Sequence, residues 1–436
     1  MGRLKPVEPL TVHVEDLTHD GLGVADIEGQ RAFVPGALPG ETVVVGRRKR
    51  RRRFLEAELL EVIERSADRV EPHCEYFGRC GGCALQHLGY ERQVAFKRKV
   101  VADALSSIAK LEPMEWLAPI TGPQWGYRRR ARLGVKYVAG KGGVLVGFRE
   151  RAAPYITVMD HCPVLAESIG GALGDLAETI AATSIRDRIP QAEVSIGDSR
   201  GAIVFRVLSA PTASDLELLG AFGARVGLDV YLQPSGPDSV HPLSERRELS
   251  YTLDAFGVTL EFQPNDFVQI NRAVNIAMVS AAIQAAELQK SDRVLDLYCG
   301  LGNFTLPIAG QCQTVLGVEG DAALISRAVR NARRNGIENA DFLTADLEQT
   351  DWPFFGESWD VVFLDPARAG AQAAAAAMGR MAPRRIVYVS CHPGTLARDA
   401  AVLTGTHGYR LSSIRVLDMF PNTHHVEAIA VFDSAH

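Results

Sequence analysis

The sequence predicts a multidomain protein: an N-terminal OB-like β-barrel over residues 1–68, a central α+β domain over 69–264, and a C-terminal α/β domain of Rossmann-like type over 265–436. Three observations predict it. Residues 11 to about 62 hold roughly five short β-branched runs separated by glycine and proline turns, the pattern of a small closed barrel. From about residue 265, strand-like runs alternate with helical stretches, which calls for parallel strands joined by crossover helices. Between the two, short strands and a Gly/Ala-rich helix near 165–183 follow one another without internal repeats.

Composition sets the broad class. A chain of 436 residues with 47% hydrophobic and 23% charged residues is an ordinary water-soluble composition with a sizeable core. No apolar run approaches the roughly 18 residues that span a bilayer, so no membrane-spanning helix is expected. The polar N-terminus carries no signal-peptide hydrophobic stretch, and a cytoplasmic, monomeric protein is expected. Seven cysteines, an odd number, favour thiol chemistry or metal ligation over disulfides. The net charge of −5 divides unevenly, into +6 for residues 1–150 and −11 for the remainder. A basic front half on an acidic protein predicts a polyanionic partner.

The barrel strands are expected near Thr11–Val14, Gly21–Ala25, Arg31–Gly36, Val43–Val45 and Ala57–Ile63. Asp20-Gly21-Leu22-Gly23-Val24-Ala25 and Phe33-Val34-Pro35-Gly36-Ala37-Leu38-Pro39-Gly40-Glu41 closely resemble the TRAM domain, an RNA-binding barrel, with the glycines and prolines forming its corners. Between two strands lies Arg47-Arg48-Lys49-Arg50-Arg51-Arg52-Arg53. Seven consecutive cations repel one another and normally form a solvated loop. On an RNA-type barrel they serve better as phosphate contacts, which add affinity but no sequence choice.

Cys74, Cys80 and Cys83 follow within a glycine-rich loop, and Cys162 stands far downstream in His161-Cys162-Pro163-Val164. Four thiolates suit tetrahedral sulfur coordination, by zinc or by an iron–sulfur cluster. The five-residue gap between Cys74 and Cys80 exceeds the spacing of structural zinc knuckles and tilts the reading toward iron–sulfur. An amphipathic, basic helix is expected over Tyr90–Lys110. In Trp125-Gly126-Tyr127-Arg128-Arg129-Arg130-Ala131-Arg132, arginines interleave with aromatics. Phosphate contact with base stacking and a plain edge strand with solvated charges fit that stretch equally.

The C-terminal domain opens with Val294-Leu295-Asp296-Leu297-Tyr298-Cys299-Gly300-Leu301-Gly302-Asn303-Phe304, a strand, a glycine turn and a helix start. The glycines allow backbone amides to approach a ligand at the helix N-terminus. The second strand ends at Glu319, a carboxylate 23 residues after Asp296 that is placed to bind ribose hydroxyls. Ala345-Asp346 ends a third strand, and Asp360-Val361-Val362-Phe363-Leu364-Asp365-Pro366-Ala367-Arg368 contains the fourth. The fifth, Val387-Tyr388-Val389-Ser390, stops abruptly at Cys391 and a His392-Pro393-Gly394 turn. A thiol at the carboxyl end of a buried strand sits where open α/β sheets bind ligands, and its thiolate is a strong nucleophile. An arbitrary cysteine is more often structural, and it is the flanking motifs that reverse those odds.

Taken together and in order, these strands describe a class I methyltransferase sheet for S-adenosylmethionine. The set Asp296-to-Phe304, Asp365-Pro366-Ala367-Arg368, Ser390-Cys391-His392-Pro393 and Phe420-Pro421-Asn422-Thr423-His424-His425-Val426-Glu427 resembles the RNA uracil-C5 methyltransferases. With the TRAM domain and four cysteines it is most similar to the branch acting on 23S ribosomal RNA; by the same resemblance, tRNA-modifying relatives lack both accessory features. The resemblance implies S-adenosylmethionine as cofactor and a [4Fe-4S] cluster on Cys74, Cys80, Cys83 and Cys162. It implies Cys391 as the nucleophile that adds to uracil C6, and Glu427 as the base that removes the C5 proton. Gln269, Tyr298, Asn303, Glu319, Asp346 and Asp365 match cofactor-contacting positions, with recognition of the flipped base an alternative for Asp365. A base stacked in RNA must be flipped out to be reached.

Two positions depart from the family pattern: His392 stands where Asn is usual and Gly394 where Ala is common. Neither removes a reacting group. Three alternatives stand against this reading. An amino-group methyltransferase would carry Asn-Pro-Pro-aromatic after the fourth strand. A tRNA uracil methyltransferase shares the chemistry. A non-catalytic RNA-binding iron–sulfur protein would have no use for both Cys391 and Glu427.

Overall fold

Period-two alternation closes the barrel. In the computed structural model, which describes residues 8–435 apart from 142 and 152, β1 (Leu10–Leu17), β2 (Leu22–Ile27), β3 (Gln30–Pro35), β4 (Thr42–Arg50) and β5 (Leu55–Glu64) form a closed barrel in the order β1-β2-β3-β5-β4. Val12 and Val14, Ala25 and Ile27, Ala32 and Val34, and Val43 and Val45 point inward from successive strands. The expected corners are there, with Gly21, Gly36 and Gly40 at positive φ. Buried Glu41 accepts from the Leu38 amide at 2.8 Å and from Arg69 Nε at 2.5 Å, tying the barrel to the chain that leaves it.

By its packing the chain divides into two compact units. The first comprises the chain up to Lys97 with Arg149–Tyr155 and Phe420–His425; the second comprises Arg98–Phe148, Ile156–Met419 and the chain from Val426 onward. The second unit contains a six-stranded sheet, a two-stranded hairpin and an eight-stranded sheet. In the eight-stranded sheet the strand order is Ala340–Thr344, Thr314–Glu319, Arg293–Leu297, Val361–Leu364, Arg385–Ser390, Glu427–Ser434, Tyr409–Leu417 and Glu115–Trp116. The first five run parallel and Glu427–Ser434 runs antiparallel to both its neighbours. Their near-continuous apolar runs are what a sheet covered on both faces requires. Leu295, Leu297, Val362, Leu364, Ile386, Tyr388, Ala430 and Phe432 form its buried centre. Chain order reverses on either side of Arg293–Leu297, which fixes the ligand crevice at the carboxyl ends there.

The structure corrects several local expectations. The arginine run does not wholly form a loop: β4 continues to Arg50, and only the chain beyond it turns. Pairing of β4 with β5 across Arg48–Ala57 and Arg50–Leu55 holds the backbone extended despite the repelling charges. The basic helix is α-helical over Tyr90–Ala104 and ends in a π-turn over Leu105–Ala109. The Gly/Ala-rich helix is two helices, Glu167–Gly170 and Leu173–Ala182. It breaks where Gly170 packs on the Cys162 and Leu165 carbonyls, which a Cβ would approach at 2.9 and 3.0 Å. No helix among the described residues is long and apolar enough to cross a membrane.

Candidate active site

Strand register brings two expected groups together. Arg385–Ser390 pairs antiparallel with Glu427–Ser434, Ser390 opposite Ala428. One step beyond that pair stand Cys391, just past the end of its strand, and Glu427, the first residue of the neighbouring strand, at the same end of the two. Their charges interact accordingly. Burial, then Glu427, then Asp365 push the Cys391 thiol up to about 11, against a lesser downward pull from Arg368. Cys391 is half-buried and Glu427 buried.

The crevice floor is acidic. Burial, followed by the charges of Asp296 and Glu319, raises Asp365 to about 7. Burial likewise raises Asp296 to about 7, partly opposed by hydrogen bonding to Thr305, whose hydroxyl donates to Oδ2 at 2.5 Å. The other oxygen of Asp296 has no hydrogen-bond partner among the described residues. A cation bound here would relieve the repulsion among these carboxyls.

Above this floor the glycine turn has the geometry its sequence implies. The Tyr298 and Cys299 amides both donate to the Val318 carbonyl, at 2.8 and 3.1 Å, folding the turn back over the neighbouring strand. Tyr298 takes a left-handed φ of 67°, an unfavourable conformation of the kind found at ligand sites. Its hydroxyl has no partner among the described residues. Gly300 and Gly302 are left-handed too, at 54° and 91°, where a side chain would add strain. The Gly300 amide donates to Glu319 Oε2 at 3.2 Å, and the Gly320 amide to Oε1 at 2.7 Å, so the carboxylate at the second strand's end is held in place. Asp346 lies two residues past the third strand, exposed, and is bonded by the Glu348 amide at 3.1 Å and by Gln349 Nε2 at 2.9 Å. Asn303 exchanges hydrogen bonds with Asn275 at 3.0 and 3.2 Å and accepts from the Tyr251 hydroxyl at 2.9 Å. Tyr251, Asn275 and Gln269 line one small cavity, which joins Gln269 to that group.

Asn275, Tyr251, Tyr388 and Asp399 were not singled out in the sequence. Asn275 and Asp399 sit inside helices and are buried, which only the folded neighbourhood reveals. The strand that follows Trp125, Arg130–Val138, is not an edge strand, because it is paired on both sides, and the arginines around its start are partnered. Arg129 pairs with Asp198 at 2.6 Å, Arg132 pairs with Glu193 at 3.0 Å, and Arg130 donates to the Asn265 carbonyl at 3.0 Å. Tyr127 is buried and therefore unavailable as a stacking platform.

Cys74 and Cys80 are buried and Cys83 is half-buried, all in the first unit. The Cys74 amide donates to Gln86 Oε1 at 3.0 Å, and the Gly82 amide points at Cys80 Sγ at 3.4 Å. A Cβ on Gly81 would come within 2.9 Å of the Arg149 carbonyl, so the loop closes tightly. Cys162 is buried in the second unit, its amide donating to the Gly170 carbonyl at 2.7 Å. Among the described residues, no three His, Cys, Asp or Glu side chains are grouped to hold a metal ion.

The sheet order, the glycine turn and the fixed acid after the second strand define a class I methyltransferase fold. The model of the tRNA (Uracil-5-)-methyltransferase family matches residues 250–352 and 354–434, and that of the TRAM domain matches residues 3–60. Proteins named 23S rRNA (uracil(1939)-C(5))-methyltransferase RlmD are similar over nearly the whole chain. That of Alkalilimnicola ehrlichii is 48% identical and that of Methylococcus capsulatus 46%, with 99% of each chain covered in both cases. Among solved structures, the Pyrococcus abyssi tRNA (uracil-54, C5)-methyltransferase in complex with S-adenosyl-L-homocysteine superposes with a TM-score of 0.76 at 27% identity, covering 97% of this chain and 100% of that one. The chain belongs to the RNA uracil-C5 methyltransferase family, alongside these RlmD enzymes. Because a tRNA enzyme spans nearly all of it, domain content by itself does not separate the two RNA classes.

Proposed function

We propose that the protein methylates C5 of a uridine in 23S ribosomal RNA, using S-adenosylmethionine and a covalent adduct through Cys391. Full-length similarity to the RlmD enzymes carries the choice of RNA. The chemistry follows from the pair at the ends of these two neighbouring strands. Uracil C5 is too weak a nucleophile to be methylated unaided. Addition of the Cys391 thiolate to C6 makes the ring an enolate whose C5 is reactive. S-adenosylmethionine, when bound, supplies the electrophilic methyl group. Glu427 then takes the proton from C5, the electron pair of that bond reforms the C5–C6 double bond, and the C6–S bond breaks to return the thiolate. Gln269, Tyr298, Asn303, Glu319, Asp346 and Asp365 are the residues that hold the cofactor, Glu319 suiting ribose hydroxyls. The unpartnered Tyr298 hydroxyl and Asp296 oxygen fit a polar, cationic ligand. Mapping 5-methyluridine in ribosomal and transfer RNA from cells with and without the protein tests the assignment. Loss at one 23S uridine supports it, loss in tRNA alone transfers it to the Pyrococcus type, and no loss overturns it.

The four cysteines are read as ligands of a [4Fe-4S] cluster. Burial of Cys74 and Cys80 and the amide aimed at Cys80 Sγ suit thiolates that need hydrogen-bond donors. Protein purified without oxygen is expected to be brown with about four irons per chain. Stoichiometric zinc without iron would reject the cluster. Cys80→Ser should lose the iron and lower thermal stability while leaving S-adenosylmethionine affinity within about twofold, by calorimetry.

The arginine run is read as a phosphate-binding segment of the barrel, within a division into barrel (1–68), central domain (69–264) and methyltransferase domain (265–436). Among the described side chains of the run, Arg51 forms an ion pair, with Glu56 at 2.9 Å, and both partners are well exposed. Replacing Arg50, Arg52 and Arg53 by Ala should weaken RNA binding and flatten the slope of log K against log salt by roughly 0.7–0.9 for each phosphate left unneutralised. An unchanged slope identifies a solvated segment instead.

A further inference from the structure

The loop carrying Asp365 and Arg368 is fastened to the helix that follows the nucleophile, and the fastening centres on one fully buried carboxylate. Asp399, at 0% exposure, lies in the Pro393–Gly405 helix. Its Oδ2 accepts from the Tyr388 hydroxyl at 2.8 Å and from the Ala371 amide at 2.8 Å; the Ala371 amide also reaches the Tyr388 oxygen at 3.1 Å. Its Oδ1 accepts from Arg398 Nε at 2.8 Å, and Arg398 Nη2 donates onward to the Ala369 carbonyl at 2.9 Å. Thr395, in the same helix, donates its hydroxyl to the Arg368 carbonyl at 3.3 Å. The backbone at 368, 369 and 371 is thereby pinned to one helix face.

Gly370 shows how close the two segments lie. Its φ is +81°, and a Cβ there would fall 2.6 Å from Arg398 Nη2, 2.8 Å from Asp399 Oδ2 and 2.9 Å from Thr395 Cβ. These polar groups satisfy one another, and truncating one member of such a network leaves the others unsatisfied. Neither Asp399 nor Tyr388 touches a reacting atom in the mechanism above. What they hold does matter to it: Thr395 ties the Arg368 carbonyl to the first turn of the helix that His392 caps immediately after Cys391. The pinned segment therefore starts next to the thiol, and the positive charge of Arg368 pulls that thiol down against its carboxylate neighbours.

We propose that Asp399, braced by Arg398 and Tyr388, is a positioning residue that holds the Arg368 loop beside Cys391 and thereby sets the reactivity of the thiol. The inference rests on the reading of Cys391 as nucleophile. Its test is a thiol titration, which needs no RNA and stands apart from that reading. Alkylation of Cys391 by iodoacetamide is followed by mass spectrometry from pH 7 to 10 in wild-type protein, Asp399→Asn, Tyr388→Phe, Arg368→Met and the Asp399→Asn/Arg368→Met double variant. Asp399→Asn is expected to slow alkylation at pH 8 by about threefold to tenfold, to the same extent as Arg368→Met, by moving the profile to higher pH. The double variant should be no slower than either single one, because both remove the same cation from the thiol. Tyr388→Phe, the mildest change, should give a smaller shift of the same sign, which keeps the proposal testable if Asp399→Asn does not fold. An unmoved profile in folded Asp399→Asn or Tyr388→Phe protein overturns the proposal, as do independent, additive effects of Asp399→Asn and Arg368→Met. A nucleophile elsewhere would show separately, as methylation surviving in Cys391→Ala.

Discussion

Glu427→Gln is expected to turn the enzyme into a trap for its own substrate. The amide keeps the size of the side chain but cannot take a proton. Thiolate addition to C6 and methyl transfer both precede the need for a base, so both still occur. Elimination does not, and a methylated RNA–protein adduct accumulates that survives denaturation. It would appear as a shifted band labelled by methyl-tritiated S-adenosylmethionine, at close to one methyl group per active chain. Cys391→Ala should behave oppositely: no adduct, and methylation reduced by on the order of 10⁴ or more, the usual loss when a covalent nucleophile is deleted. It should still bind S-adenosylmethionine, since no cofactor-binding residue is altered. A purely structural pair would lose both properties together through misfolding, with no RNA trapped by either variant. A labelled adduct in Cys391→Ala, or full turnover in Glu427→Gln, sinks the assignment.

What the sequence made legible here, and what it hid, follows from the range of the interactions. The strand–turn–helix at Val294–Phe304 could be read directly because its signals are local: an apolar run, then glycines at two of the three left-handed positions, Tyr298 holding the other. The barrel was legible for the same reason, since alternation and corner glycines are short-range. The partnership of Cys391 with Glu427 was available only through family resemblance. The residues stand 36 apart in the chain, and they meet because Glu427–Ser434 inserts antiparallel between Arg385–Ser390 and Tyr409–Leu417. No local pattern specifies that insertion. The strand Glu115–Trp116, added to the far edge of the same sheet, is two residues long and has no periodicity to detect. Asp399 was hidden by its own chemistry: an aspartate within a helix reads as a solvated charge until the Ala371 amide and the Tyr388 hydroxyl fold against it. The arginine run misled in another way, because like charges argue for a loop while cross-strand backbone bonding to β5 decides for a strand.

Cys391 is expected to alkylate slowly at neutral pH and to gain about tenfold in rate per pH unit between pH 8 and 10. Burial and the carboxylates of Glu427 and Asp365 oppose formation of a second negative charge, so the thiol titrates at about 11 where an unperturbed one would stand at 9.0. At pH 8 the thiolate is then about one part in a thousand instead of about one in ten, and alkylation should be about a hundredfold slower than at an unperturbed thiol. Removing a neighbouring negative charge must act in the opposite sense: Asp365→Asn lowers the Cys391 titration and speeds alkylation. The effect should depend on pH, because Asp365 itself is raised to about 7 by burial and by Asp296 and Glu319. Below pH 7 the wild-type carboxyl is protonated and already neutral, so variant and wild type should react at nearly equal rates. Above pH 7 it ionises in the wild type alone, and the ratio of rates should open to several-fold by pH 9. Site-resolved mass spectrometry separates Cys391 from Cys299 and Cys312, both of which are buried with titrations raised above the usual thiol value. A ratio that stays flat across pH 6 to 9, or an Asp365→Asn thiol slower than wild type, would mean that the carboxylate does not act on the nucleophile as a charge.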